Sequence, residues 1–283
     1  MPNLSNFVGA GRFQPQSDVA KLDPRHLARM VGIVAFGLPV VLFIGAGPLD
    51  ACRQTSISHY YYSPALGTVV IGAVCFIGAF LIAYRGENRW ESRLASWAGI
   101  AAFGVALFPT VGPGCTELEL SARAFVELTR SSEDVVFVLS EVQRVCSEAE
   151  MMKDTLCPLF TLNPVSRYLH WMSAAVLFAF LALMSGYIFT RTLEWRHFDQ
   201  NGQLLWSKLN RNRIYYTCAG VIVVCMVLLS PLGNSIAVAV LGDRHVFYLE
   251  GIALWAFGMS WLVKGRMLSK SFLYEQTPDK AVS

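Results

Sequence analysis

Three histidines, His59, His170 and His245, and one carboxylate, Glu250, hold the chain's clearest potential for chemistry. Each histidine stands at the edge of a long apolar run, and Glu250 stands inside one. A cation held by three imidazoles would lower the pKa of a bound water and arm it for hydrolysis. In such a site His59, His170 and His245 would be the ligands, with Ser56, Arg167, Tyr168 and Asp243 in the same layer. None of the three shows an H-x-x-x-H or H-x-x-E spacing, however, and His59 lies on the loop Ser56-Ile57-Ser58-His59-Tyr60-Tyr61-Tyr62-Ser63-Pro64. The preferred reading therefore assigns no metal, no cofactor and no catalytic residue. His59, Tyr60, Tyr61, Tyr62, His170 and Glu250 are expected instead to line a polar, ligand-binding pocket. Glu250 lies roughly 10 Å along its helix at 1.5 Å per residue, so it should face the bundle and pair with His170, Arg167 or a tyrosine. An aromatic belt at a membrane interface is the plainer account of the tyrosines.

The elements that must position these residues are membrane spans. At 54% hydrophobic and 15% charged, the chain is far more apolar than an ordinary soluble domain. Its apolar residues form continuous runs at 31–47, 66–84, 95–108, 169–189, 214–229 and 246–263. Most approach the ~20 residues that cross a ~30 Å hydrocarbon core. The expected fold is all-α, a polytopic bundle of six transmembrane helices. Asp23-Pro24, Ser63-Pro64 and Asn163-Pro164 each pair an N-cap residue with proline at the first helical position, so spans one, two and four should begin there. The sixth should begin at Asp243. Pro39 should kink the first span, with a neighbour satisfying the freed carbonyl. Gly67, Gly72, Gly78, Gly99 and Gly104 suggest close helix packing.

Basic residues alternate across the six crossings. Arg12, Lys21, Arg25, Arg29, Arg85, Arg89, Arg93, Arg191, Arg196, Lys208, Arg211, Arg213, Lys264, Arg266, Lys270 and Lys280 fall on one side, whereas the first and last loops of the other side hold only Arg53 and Arg244. The expectation is a multi-pass protein of the plasma (inner) membrane with both termini cytoplasmic. No cleaved signal peptide is expected, because the first twenty-two residues lack an apolar core. Cys75, Cys218 and Cys225 lie inside spans, whereas Cys52, Cys115, Cys146 and Cys157 all lie on the side assigned outside, which suggests two disulfides. Residues 112–163 are expected to form an extracytoplasmic, disulfide-stapled helical hairpin, with helices at 117–130 and 133–151. Val135, Val138, Val142, Val145 and Ala149 supply its apolar stripe. The resulting organisation is a cytoplasmic segment (1–22), three spans (23–111), the cap (112–163), three more spans (164–265) and a cytoplasmic tail (266–283).

The motifs "SISHYYYSP" (56–64), "AYRG" (83–86), "AGIAAFGVALFPT" (98–110), "LHWMSAAVLF" (169–178), "RNRIY" (211–215) and "LEGIALWAFGMSWLVKG" (249–265) together resemble a group of uncharacterised bacterial six-helix integral membrane proteins. More distantly, "SIS" feeding the second span resembles the DRAM/Sfk-type six-helix family, and this implies a role in membrane trafficking or lipid handling. The acidic residue and glycine that follow "IS" in that family are His59 and Tyr60 here. Intramembrane ceramidase and adiponectin-receptor-type hydrolases offer a second comparison, with zinc held by histidines and an aspartate. Their S-x-x-x-H pattern is not reproduced, because Ser56 and His59 are one residue too close. The leading expectation is non-enzymatic binding or sensing of membrane lipid, or of a membrane-protein partner or second copy, and no nucleic acid is expected. The alternatives are a metal-dependent lipid hydrolase using the three histidines and a transporter or channel with Glu250 in its pathway.

Overall fold

The computed structural model describes residues 23–48, 53–86, 88–108, 110, 126–130, 142–144, 158–162, 164–191 and 206–268. Their long helices are α1 (Pro24–Gly45), α2 (Pro64–Ala83), α3 (Arg89–Leu107), α4 (Pro164–Leu183), α5 (Trp206–Leu229) and α7 (His245–Lys264), with a short α6 (Asn234–Leu241) before the last. Five segments are long and apolar enough to cross a membrane: α1, α2, α4 with its extension, α5, and α6 with α7. Helix α3 is not among them, because its first turns carry Arg89, Glu91 and Arg93.

The expected starts at Pro24, Pro64 and Pro164 are observed. Asp23 caps α1 by accepting the Arg25 N–H at 2.9 Å. Ser63 precedes α2 in extended backbone, and its carbonyl, not its hydroxyl, takes the Gly67 N–H at 2.9 Å. The final helix starts at His245, two residues after the expected Asp243, because a 3₁₀ turn at Gly242–Arg244 intervenes. Gly242 has φ +69° and ψ −159°, backbone that glycine alone adopts readily, and it ends α6. Neither α6 nor the π-helical turn Met184–Ile188 that prolongs α4 stands out in the sequence.

Helices adjacent in sequence pack side by side in the order α1–α2–α3–α4–α5–α7, and α7 returns against α1 to close the ring. Small residues bring the partners together. A Cβ on Gly99 of α3 would stand 2.6 Å from the Gly78 carbonyl of α2, and one on Gly258 of α7 would stand 2.9 Å from the Gly32 carbonyl of α1. A Cβ on Gly104 would collide with Ser173 of α4. Gly72, by contrast, has open space. The centre is filled by Trp261, wholly buried, with Phe80, Tyr84, Phe189 and Phe257 set edge-on around it. Pro39 lies inside α1 as expected, and the Trp255 indole donates to the nearby Phe36 carbonyl at 2.9 Å.

The two ends of the ring differ. At the basic end, cations from neighbouring helices complete helix C-termini. Lys208, only 4% exposed, donates to the carbonyls of Phe189 (3.1 Å) and Arg191 (3.3 Å). Arg29 donates to the Gly265 carbonyl at 2.7 Å. These residues therefore hold the fold together as well as contributing charge. The opposite end, called the turn end here, carries residues 53–63 and the start of α7.

The helical hairpin expected within 112–163 is not confirmed, and strand stands at 126–130 and 142–144 where helix was expected. Its described residues are strands β1 (Val126–Arg130), β2 (Val142–Arg144) and β3 (Pro158–Leu162), in an antiparallel sheet ordered β1-β3-β2. Val126 pairs with Leu162 and Val142 with Thr161. The sequence Val126-Glu127-Leu128-Thr129 alternates with period two, and Val142 is β-branched, which suits a strand better than a helix. Cys52, Cys115, Cys146 and Cys157 lie outside the described residues, so the structure lends the disulfide expectation no support. Cys75, Cys218 and Cys225 are free thiols.

Candidate functional site

At the turn end, Ser58–Tyr62 wind into a 3₁₀ helix that ends at Ser63, whose N–H donates to the Tyr60 carbonyl at 2.9 Å. The residues just before it are fastened to α7. The Phe247 N–H, unpaired within the helix because it lies in the first turn, donates to the Thr55 carbonyl at 2.9 Å. Glu250 is three residues further along α7. Its Oε2 accepts the Ser56 hydroxyl at 2.8 Å and the Ile57 N–H at 2.7 Å. A single carboxylate oxygen thus satisfies both a side-chain and a backbone donor of the loop.

The network continues to α4. The Ser58 N–H donates to the Ser56 hydroxyl oxygen at 3.1 Å, and the Ser58 hydroxyl lies 3.0 Å from His170 Nε2. His170 Nδ1 lies 2.7 Å from the Phe108 carbonyl, just beyond the end of α3. A carbonyl only accepts, so Nδ1 carries the proton. In the neutral ring Nε2 is then the acceptor, and the Ser58 hydroxyl donates to it. The loop is consequently clasped by α7 through Glu250 and by α4 through His170. Glu250 and His170 do not pair directly, as the sequence suggested they could; Ser56 and Ser58 stand between them.

The other candidates fall around this clasp. Tyr60 is 1% exposed and Tyr61 5%, so neither belongs to an interfacial aromatic belt. The Tyr60 hydroxyl accepts the Gln54 N–H at 3.3 Å, and its ring packs against Phe247. Burial pushes the Tyr60 phenol above its ordinary value, an effect that the Gln54 bond and the charges of Arg244 and Arg53 partly offset. The Tyr62 side chain lies outside the described residues. His59 Nδ1 meets the Thr55 hydroxyl at 3.0 Å. His245 bridges the Gly242 carbonyl and the Asn234 side chain, each at 2.9 Å, and ties α6 to α7. Arg167 lies over the rings of Tyr168 and Trp171, and Asp243 is exposed in the 3₁₀ turn.

The bonds just described give His59, His170 and His245 different partners. Among the described residues no group of three His, Cys, Asp or Glu side chains stands close enough to hold a metal ion. Sequence reasoning missed Ser58, the Ile57 N–H and the Phe108 carbonyl. The flanking serines of Ser56-Ile57-Ser58, with their hydroxyls two positions apart, are the one signal that could have pointed to them.

Beside the clasp, α1 and α7 part to leave an apolar groove of about 510 Å³, lined by Pro39, Phe43, Phe247, Tyr248, Gly251 and Trp255 among others. Gly251 keeps α7 close to α1, since a Cβ there would approach that of Pro39 to 3.3 Å. The exposed Arg53 guanidinium sits 4.8 Å from the centre of the Phe43 ring, at one margin of the groove. The exposed Arg244 ends the 3₁₀ turn three residues before Phe247. No protein-family model, no curated protein and no solved structure matches this chain.

Proposed function

We propose that the protein is a non-enzymatic, lipid-binding membrane protein whose site is the α1–α7 groove with the clasped 53–63 loop beside it. The observation that carries this reading is the groove itself. It is apolar, sits between two helices that can cross a membrane, has Arg53 over its wall residue Phe43, and has Arg244 three residues before its wall residue Phe247. An acyl chain suits the lining, and the phosphate of a phospholipid suits Arg53 and Arg244. In this reading the polar residues His59, Tyr60, His170 and Glu250 do not themselves take the ligand. They set the position of Phe247 and Tyr60, which form one wall and its support. The resemblance to the DRAM/Sfk-type family points the same way.

The same proposal includes the finer topology. All six long helices cross the inner membrane, both termini are cytoplasmic and the clasp faces outward, in keeping with the alternation of basic residues. That no three His, Cys, Asp or Glu side chains among the described residues stand close enough for a metal favours lipid binding over metal-dependent hydrolysis. The test is native mass spectrometry of the full chain released from phospholipid nanodiscs, comparing wild type with Val40→Trp and Ile252→Trp, both at the groove. Wild type should retain a phospholipid that each variant loses. Equal retention by all three would refute the groove as the site.

A further inference from the structure

At the basic end, the turn between α2 and α3 is folded back on the helix it precedes. The Gly86 N–H donates to the Ser92 hydroxyl at 3.0 Å, and a Cβ on Gly86 would collide with Glu91. Asn88 caps α3 through the Glu91 N–H at 2.9 Å and donates its amide to the Glu91 carboxylate at 3.1 Å. Glu91, 4% exposed, also meets Arg191 of the neighbouring element at 3.5 Å. Its negative charge is thus turned inward. Outside this turn lies an open cleft of about 910 Å³, lined by Arg85, Arg89, Arg93, Trp97 and Ile100 among others.

The lining changes character along the helix. Arg89, Arg93, Trp97 and Ile100 recur at three- and four-residue intervals and so share one face of α3. All four are exposed, and so is Arg85. Among the described residues none of the three arginines has an ion-pair or hydrogen-bond partner. One further carboxylate of the turn, Glu87, lies outside the described residues. On the topology proposed above, in which α3 also crosses the membrane, the three guanidiniums stand at the surface with an indole and an isoleucine deeper in, matching the order of an anionic phosphate headgroup and its acyl chain.

We propose that this cleft is a binding site for an anionic phospholipid, with its phosphate held by Arg85, Arg89 and Arg93 and its acyl chain lying along Trp97 and Ile100. The site is separate from the α1–α7 groove and stands at the opposite end of the bundle. Basic pockets next to membrane helices bind acidic lipid headgroups, with about 1 kcal/mol for each arginine near the surface.

The experiment is lipid exchange in detergent micelles, in which phosphatidylglycerol is titrated against phosphatidylcholine and bound lipid is read by native mass spectrometry. Wild type should prefer phosphatidylglycerol. R89Q/R93Q should weaken that preference by about fivefold for each arginine removed. R89K/R93K should keep most of it, and the equal charge loss of R25Q/R213Q should leave it near wild type. Inorganic phosphate should not compete, because it lacks the acyl chain. The proposal fails if R89Q/R93Q retains the preference, or if R25Q/R213Q loses as much. Because all these side chains are exposed, a melting curve matching wild type would show that a loss in R89Q/R93Q is not unfolding. V40W, which fills the other groove, should leave this preference unchanged.

Discussion

Glu250 of α7 accepts the Ser56 hydroxyl at 2.8 Å across 194 positions of sequence, and the same oxygen accepts the Ile57 N–H. This contact fixes the loop to the last helix. Removing the carboxylate leaves two buried donors without an acceptor, which costs about 1–3 kcal/mol for each unsatisfied group. Glu250→Ala should therefore lower the melting temperature markedly, and Glu250→Gln, which keeps one carbonyl oxygen, should do so less. Thermal unfolding in detergent measures both. A Glu250→Ala variant as stable as wild type would mean that the clasp contributes nothing.

His170 should carry its proton on Nδ1, toward the Phe108 carbonyl, and accept from Ser58 at Nε2. Nitrogen chemical shifts of the labelled imidazole distinguish the two tautomers directly. A double-mutant cycle of Ser58→Ala with His170→Phe should show a coupling of about 0.5–3 kcal/mol. Simple additivity would contradict the contact.

Tyr60 gives the molecule an alkaline limit. Its folded-state pKa is raised by burial above the ordinary value near 10. The neutral phenol therefore contributes stability that is present below about pH 10 and lost as the pH rises through the folded value. Wild type should lose melting temperature above pH 10 more steeply than Tyr60→Phe. Parallel curves for the two proteins would show that the buried phenol does not set this limit.

The glycine contacts make a graded prediction. Gly99→Ala would force a Cβ to 2.6 Å from the Gly78 carbonyl and should destabilise the α2–α3 pair by about 1–3 kcal/mol, as overpacking does. Gly72→Ala meets open space and should be neutral or stabilising by up to about 1 kcal/mol, because alanine is the better helix former. Equal effects at the two positions would argue against close helix approach at Gly99.

Five of the six expected spans were legible because crossing a membrane demands a long apolar run, and the Asp-Pro, Ser-Pro and Asn-Pro pairs mark helix starts by local chemistry alone. Glu250 stood out because a carboxylate inside such a run must be explained. The sequence places Ser56 in the histidine layer but does not show its bond to Glu250. Ser56 and the Ile57 N–H are ordinary groups that become acceptor-seeking only once α7 is laid beside the loop. The strand at Val142–Arg144 was hidden for a different reason: valines at helical spacing satisfy two periodicities, and tertiary pairing with β3 decides between them. The end of the bundle where Lys208 is buried shows the same limit. Its sequence reads as surface charge, yet two carbonyls just beyond the end of another helix accept hydrogen bonds from its ammonium.

The most direct test of a lipid in the α1–α7 groove is photo-crosslinking in nanodiscs with a phospholipid that carries a diazirine midway along its acyl chain. Adducts mapped by peptide mass spectrometry should concentrate on Pro39 to Ile44 and Phe247 to Trp255, the two walls of the groove. They should also disappear in Val40→Trp. Adducts spread evenly over the exposed faces of α4 and α5, with none enriched in the groove, would contradict the account.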